Sequence, residues 1–156
     1  MPLHPKKILV ATDFSACAQA AADAAGVLAR AFAGEVTLLH AVPLSSYAEA
    51  VAHLDRSTFS TQDLRATVQA DMQRQGQAEL ARLESDGVHA SFLTVEGPPP
   101  AEIARVAIEG QYDLLIIGTH GPTGKHHLAL GSVAENVVRL SSVPVLVMRS
   151  KVATPQ

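Results

Sequence analysis

Glycines at positions 118, 121, 124 and 131 fall within one stretch, LLIIGTHGPTGKHHLALGS, that spans residues 114–132. Four apolar residues open it, as a short buried strand would, and Gly131-Ser132 leads into VAENVVRL, where Val133, Val137 and Leu140 keep helical spacing. A strand, a glycine-rich loop and a helix N-terminus in that order form a site for an anion. Glycine lets the backbone come close to an oxyanion, and the unpaired N–H groups of the first turn face it with the positive end of the helix dipole. Ser132 and Glu135 have capping-box spacing, so the Ser132 hydroxyl either caps the helix or meets a ligand. Taken singly, each glycine is equally well explained as a plain turn.

The same residues exclude two other phosphate loops. A Walker loop needs glycine four residues before Gly-Lys-[Ser/Thr], but position 119 is Thr and Lys125 precedes His126. The spacing from Gly118 is G-x-x-G-x-x-G, which is not the dinucleotide fingerprint G-x-G-x-x-G. His120, His126 and His127 lack the carboxylate or thiolate support that a zinc set needs, so no metal site is assigned. Lys125 reads either as a phosphate counter-charge or as a solvated loop lysine. Cys17, on an apolar helix with nothing basic beside it, reads as an inert core residue.

The elements that must position this loop follow from the apolar pattern. Strands are predicted over 8–12, 36–42, 90–95, 114–117 and 145–148. Between the first two lies an alanine-rich helix, capped by Ser15, with Phe14 as the outer half of a hydrophobic staple and Gly34 as its C-terminal stop. Residues 44–60 show no sustained period and read as a long loop with a short helix. A helix over 61–86 is weakened at Gly76 by up to ~1 kcal/mol relative to Ala and stopped by Gly87. A further helix starts at Pro100 and ends at Gly110, and the last spans 132–140. The alternation predicts one domain over residues 1–156, an open five-stranded parallel sheet with right-handed crossovers and helices on both faces. Asp13, the segment around Ala41, Gly97 and the Gly118 loop then lie at carboxyl ends of strands, where such sheets bind ligands.

Composition narrows the classes. A hydrophobic fraction of 47% with 4% aromatic residues implies an aliphatic core, which suits helices packed on a parallel sheet. The formal charge of -3, with no Lys/Arg run, gives no electrostatic case for nucleic acid or an anionic membrane surface. No apolar run approaches ~18 residues, the N-terminus lacks a signal-peptide pattern, and Cys17 is the only cysteine. A soluble cytoplasmic protein is expected.

The spacing G-x2-G-x9-G-[ST] over Gly118, Gly121, Gly131 and Ser132 resembles the nucleotide-binding signature of the universal stress protein family. The likeness extends to KKILVATDFS, LLHAV and LGSVAENVVRLSSVPVLVMRS, and so to essentially the whole chain. It implies a Rossmann-like fold and ATP as ligand, with or without Mg2+. By matching position, Ala11, Asp13 and Ala41 border adenine and ribose, while Gly118, Thr119, His120, Gly121, Pro122, Thr123, Gly124, Gly131, Ser132 and Val133 take the phosphates. Pro122, Gly124 and Ala11 depart from the pattern of some binders. The resemblance also implies a homodimer through the C-terminal strand Val145–Met148, whose apolar residues would otherwise lie at an open sheet edge. Protein partners are unknown.

No catalytic residue is assigned. Apart from Asp13, neither a general base nor a Mg-binding acidic pair is visible, so hydrolysis is at most slow. A non-catalytic ATP-binding module, a slow ATP hydrolase and a dimeric scaffold without nucleotide all stand. A phospho-receiver lacks its acidic cluster, and a flavin module lacks its Thr-rich loop.

Overall fold

In a computed structural model of the chain, residues 3–53, 60–120 and 130–150 are described. Ten elements follow in order: β1 Lys7–Ala11, α1 Ala16–Phe32, β2 Glu35–Val42, α2 Leu44–Ala52, α3 Thr61–Ser85, β3 His89–Glu96, α4 Pro99–Glu109, β4 Leu114–Gly118, α5 Ser132–Leu140 and β5 Val145–Met148. The strands form one parallel sheet in the order β3-β2-β1-β4-β5. Its centre is apolar on both sides because both sides carry helices. Ile8 and Val10 of β1, with Leu38 and Ile116, face the alanine row Ala21, Ala22, Ala25 and Ala29 of α1 and Leu83 of α3. Leu9 and Ala11, with Leu39, Ala41 and Ile117, face Ile103 and Ala107 of α4 and Ala134 and Val137 of α5. None of the described helices is long and apolar enough to cross a membrane.

Ser15 caps α1 as its position predicts, its hydroxyl accepting from the Ala18 amide at 3.3 Å. The staple does not form, because the fourth helical residue is Gln19 rather than an apolar one. Phe14 instead adopts φ +63° and lays its ring 4.9 Å from His40 and 6.1 Å from Phe92. Nor is Gly34 the left-handed stop of α1. That conformation falls on Ala33, at φ 50° and ψ 48°, while a Cβ on Gly34 would lie 2.8 Å from the carbonyl oxygens of Pro5 and Lys6. Gly34 is required by close backbone approach at the entry to β2.

Residues 44–52 form a complete helix where the sequence predicts mostly loop. None of its residues is buried, and without a core face it leaves no period to read. Gly76 also departs from expectation. A Cβ there would sit 2.2 Å from the Phe92 ring, so the glycine lets α3 lie on the sheet and is not simply a weak point in the helix. Gly76→Ala therefore sets a propensity gain of ~1 kcal/mol against an overpacking cost of ~1–3 kcal/mol. We expect a lower thermal midpoint by calorimetry, and a rise would show that Phe92 moves aside freely.

Candidate functional site

Strand order reverses between β1 and β4, since the chain moves outward from β1 through β2 to β3 and then resumes on the other side of β1. Parallel registry aligns Ala11 with Leu39 and Ile117, and Gly118 with Met148, so the carboxyl ends of the strands share one rim. A crevice at such a reversal is where open sheets of this class bind ligands.

The β1 side of the rim is held by a chain of hydrogen bonds, two within the β1–α1 turn and two to β2. The Thr12 amide donates to the Leu39 carbonyl at 2.8 Å, and the Thr12 hydroxyl accepts from the Phe14 amide at 3.0 Å. Asp13 Oδ1 accepts from the Ser15 amide at 2.9 Å, and His40 Nδ1 donates to the Thr12 carbonyl at 2.8 Å. Asp13 thus does part of the helix-capping work open to it, yet it stays exposed with its carboxylate at the rim. Ala11 and Ala41 are buried in the α4/α5-side cluster just below. Their small side chains keep the floor low and leave room above it.

On the β4 side, Thr119 is a hub. Its amide donates to the Met148 carbonyl at 2.9 Å, and its carbonyl accepts from the Gly131 amide at 2.6 Å. Its hydroxyl is hydrogen-bonded to His120 Nδ1 at 3.0 Å and lies 3.8 Å from Cys17 Sγ. The two ends of the glycine-rich stretch are therefore clamped together at a neck. Both glycines at that neck are required by packing. A Cβ on Gly118 would lie 2.7 Å from Cys17 Cβ, and one on Gly131 would lie 2.5 Å from the Thr119 carbonyl oxygen.

Cys17 is accordingly more than core filling, since it seats the first turn of α1 against the end of β4. Burial acts to raise its thiol. Hydrogen bonds with Ser150, with the His120 backbone and with the Thr119 side chain outweigh burial and hold the thiol below its ordinary value. His120 Nε2 is buried and has no hydrogen-bond partner among the described residues. No group of three metal-ligating side chains occurs among those residues.

The N-terminus of α5 differs from the predicted capping box. Gly131 occupies the cap position and Ser132 is the first helical residue, so no side chain caps the helix, and Glu135 is paired with Arg139 at 2.8 Å. The shift of one residue leaves the Ser132 hydroxyl outside any box. It also leaves the first-turn amides of Ser132, Val133 and Ala134 without a side-chain acceptor among the described residues. Ser132 and Val133 are exposed.

Of the predicted site residues, the fold brings Ala11, Asp13, Ala41, Gly118, Thr119, His120, Gly131, Ser132 and Val133 to this rim. Gly121, Pro122, Thr123 and Gly124, like Lys125, His126 and His127, lie outside the described residues. Local spacing does not reveal Thr12, His40 or Cys17 as parts of the rim. Only the Thr-Asp-x-Ser run hinted at the tight turn that holds Asp13.

The model of the universal stress protein family matches residues 4–149. Universal stress protein MJ0577 of Methanocaldococcus jannaschii is 32% identical over 160 residues, covering 97% of this chain and 99% of that protein. Its solved structure superposes with a TM-score of 0.80 at 30% identity, over 97% of this chain and 99% of the other. A universal stress protein in complex with cAMP aligns at TM-score 0.69 and 23% identity, over 95% and 99% of the two chains. One from Archaeoglobus fulgidus in complex with dAMP aligns at 0.65 and 19%, over 91% and 96%. At those identities the last two establish likeness of fold.

Proposed function

Because the chain belongs to the universal stress protein family, we propose that the crevice between β1 and β4 binds an adenine nucleotide, ATP with or without Mg2+. In this reading the protein is a cytoplasmic homodimeric stress-response module, without a catalytic role of its own, that exchanges partners with nucleotide occupancy. The observation that carries it is the N-terminus of α5, which no side chain among the described residues caps and which is tied to the rim through Gly131 and Thr119. Free first-turn amides and the helix dipole favour phosphate there. Ala11 and Ala41 leave space for a flat base, and the Asp13 carboxylate can accept from ribose hydroxyls. By the family resemblance alone, Gly121, Pro122, Thr123 and Gly124 are expected to contact the phosphates as well. The cAMP and dAMP complexes of structural neighbours support the same ligand class.

A second reading, a dimeric scaffold without nucleotide, is favoured by one observation. Packing alone accounts for Gly118 and Gly131, so those two signature positions do not require a ligand. Titration calorimetry with ATP, ADP, AMP and cAMP separates the readings. Saturable heat is expected for the first, with affinity reduced about tenfold in Asp13→Ala by loss of one charged hydrogen bond. No heat with any of the four would leave the scaffold.

A further inference from the structure

The long helix α3 settles on the sheet only over its second half. Of its 25 residues only Gly76 and Leu83 are buried, and contact at Gly76 is possible because the Phe92 ring occupies the place of its missing side chain. Upstream the helix stands away from the sheet. Between it, the tips of β2 and β3, and α2 lies a cavity of about 310 Å³. Val42 forms its floor with Met72 beside it, Gln69 and Gln73 stand one turn apart on α3, and Tyr47 and Thr94 complete the walls. Val42 alternates along β2 with Ala41, which faces α4 and α5, so the cavity opens on the α3 side of the sheet and does not share the Ala11 and Ala41 floor.

The wall balances its own charge. Glu96 Oε1 accepts from the Tyr47 hydroxyl at 3.0 Å, Glu96 Oε2 is bridged by Arg65 at 2.5 Å, and the Arg65 guanidinium lies 4.8 Å from the centre of the Tyr47 ring. The Arg65 bond, then the Tyr47 bond and, least, a bond from the Gln69 side chain keep the Glu96 carboxyl below its ordinary value. A charged ligand would lose hydration here without gaining a free counter-charge. The groups left for recognition are the Gln73 side-chain amide, the amide oxygen of Gln69, whose NH2 is turned to Glu96, the Thr94 hydroxyl and an apolar floor with a thioether. An amide offers a donor and an acceptor side by side, which matches another amide edge, and sulfur packs well against a ring. The volume is at the lower end of ordinary ligand pockets, about 300–1,000 Å³.

We propose that this cavity is a second binding site, taking an uncharged planar ring that carries a carboxamide or lactam edge, with the edge on Gln69 and Gln73 and the ring over Met72 and Val42. The inference is independent of nucleotide binding in the crevice. Nicotinamide is the probe, followed by amide-resolved NMR on the full chain, with nicotinate as its charged counterpart and ATP titrated separately into the same samples. Nicotinamide should shift the signals of Gln69, Gln73 and Thr94, and nicotinate should bind more weakly. Thr94→Trp, which fills the cavity from an exposed position, should weaken nicotinamide at least about tenfold while leaving ATP affinity and the thermal midpoint unchanged. Gln73→Glu, adding a charge without a partner, should weaken it as well. The proposal is overturned if nicotinamide produces no shifts at millimolar concentration, shifts only residues of the crevice, or binds Thr94→Trp as it binds the parent chain.

Discussion

Gly131→Val is expected to weaken the proposed nucleotide binding strongly while the sheet remains folded. A Cβ at this position would lie 2.5 Å from the Thr119 carbonyl oxygen, far inside van der Waals contact, and the atom it meets is backbone and cannot swing away. The clamp between the Gly131 amide and that carbonyl, 2.6 Å long, must open, and the first turn of α5 must move with it. Two phosphate bonds to first-turn amides, each charge-assisted and worth ~1.5–3 kcal/mol, would then be misdirected. Affinity should fall on the order of 100-fold, or about 2.7 kcal/mol. Gly131 is not among the core residues, so the cost in stability should stay near the ~1–3 kcal/mol of a strained contact. Calorimetric titration of ATP, with circular dichroism to verify folding, tests this directly. Unchanged affinity in a folded variant would remove the α5 N-terminus from the site. Ser132→Ala should cost far less, because its hydroxyl makes no cap and the amide is retained.

Leu146→Asp is expected to convert a dimer to a monomer. Among the described residues, strand β5 pairs with β4 on one side only, and its other edge carries backbone groups that no strand there pairs. Such an edge attracts another strand unless something protects it. Leu146 is 37% exposed, whereas Val145 and Val147 pack against the α4/α5-side cluster. A charge at Val147 would therefore damage the core and confuse the result, but one at Leu146 tests the edge itself. Val138 and Leu140 of α5 are likewise exposed apolar residues near the end of the chain. Burying an aspartate in a strand-to-strand contact costs at least the ~2 kcal/mol of an interface hot spot, and the dissociation constant should rise by on the order of 100-fold. Light scattering coupled to size exclusion would read a halved mass. A parent chain that is already monomeric, or a variant that stays dimeric, would count against pairing through β5.

The architecture was legible because it is written in local pattern. Runs such as ILVA and LLII are apolar throughout, as strands buried on both faces must be, and the alanine row of α1 advertised close packing on the sheet. What was not legible depends on partners distant in the chain. Gly34 answers to Pro5 and Lys6, Gly76 to Phe92, and Gly118 to Cys17, and no window of sequence contains both members of these pairs. The same holds for the rim. Asp13 and the Gly118 loop could be placed from strand ends, but the roles of Thr12, His40 and Thr119 depend on hydrogen bonds between β1, β2, β4 and β5. The capping box at Ser132 failed by one residue because Gly131 is committed to Thr119, a constraint that spacing does not encode.

Thr119 donates its amide to Met148, the last residue of β5, while its carbonyl holds the start of α5. One residue thus sits between the crevice and the open margin of the sheet. A ligand that shifts this residue does work on the margin, and a second chain seated on the margin does the same work in reverse. Free energies of this kind are reciprocal: whatever factor self-association lends to ligand affinity, the ligand returns to self-association. If the crevice takes its ligand and β5 a second chain, filling the one and assembling the other become two readings of a single coupled equilibrium.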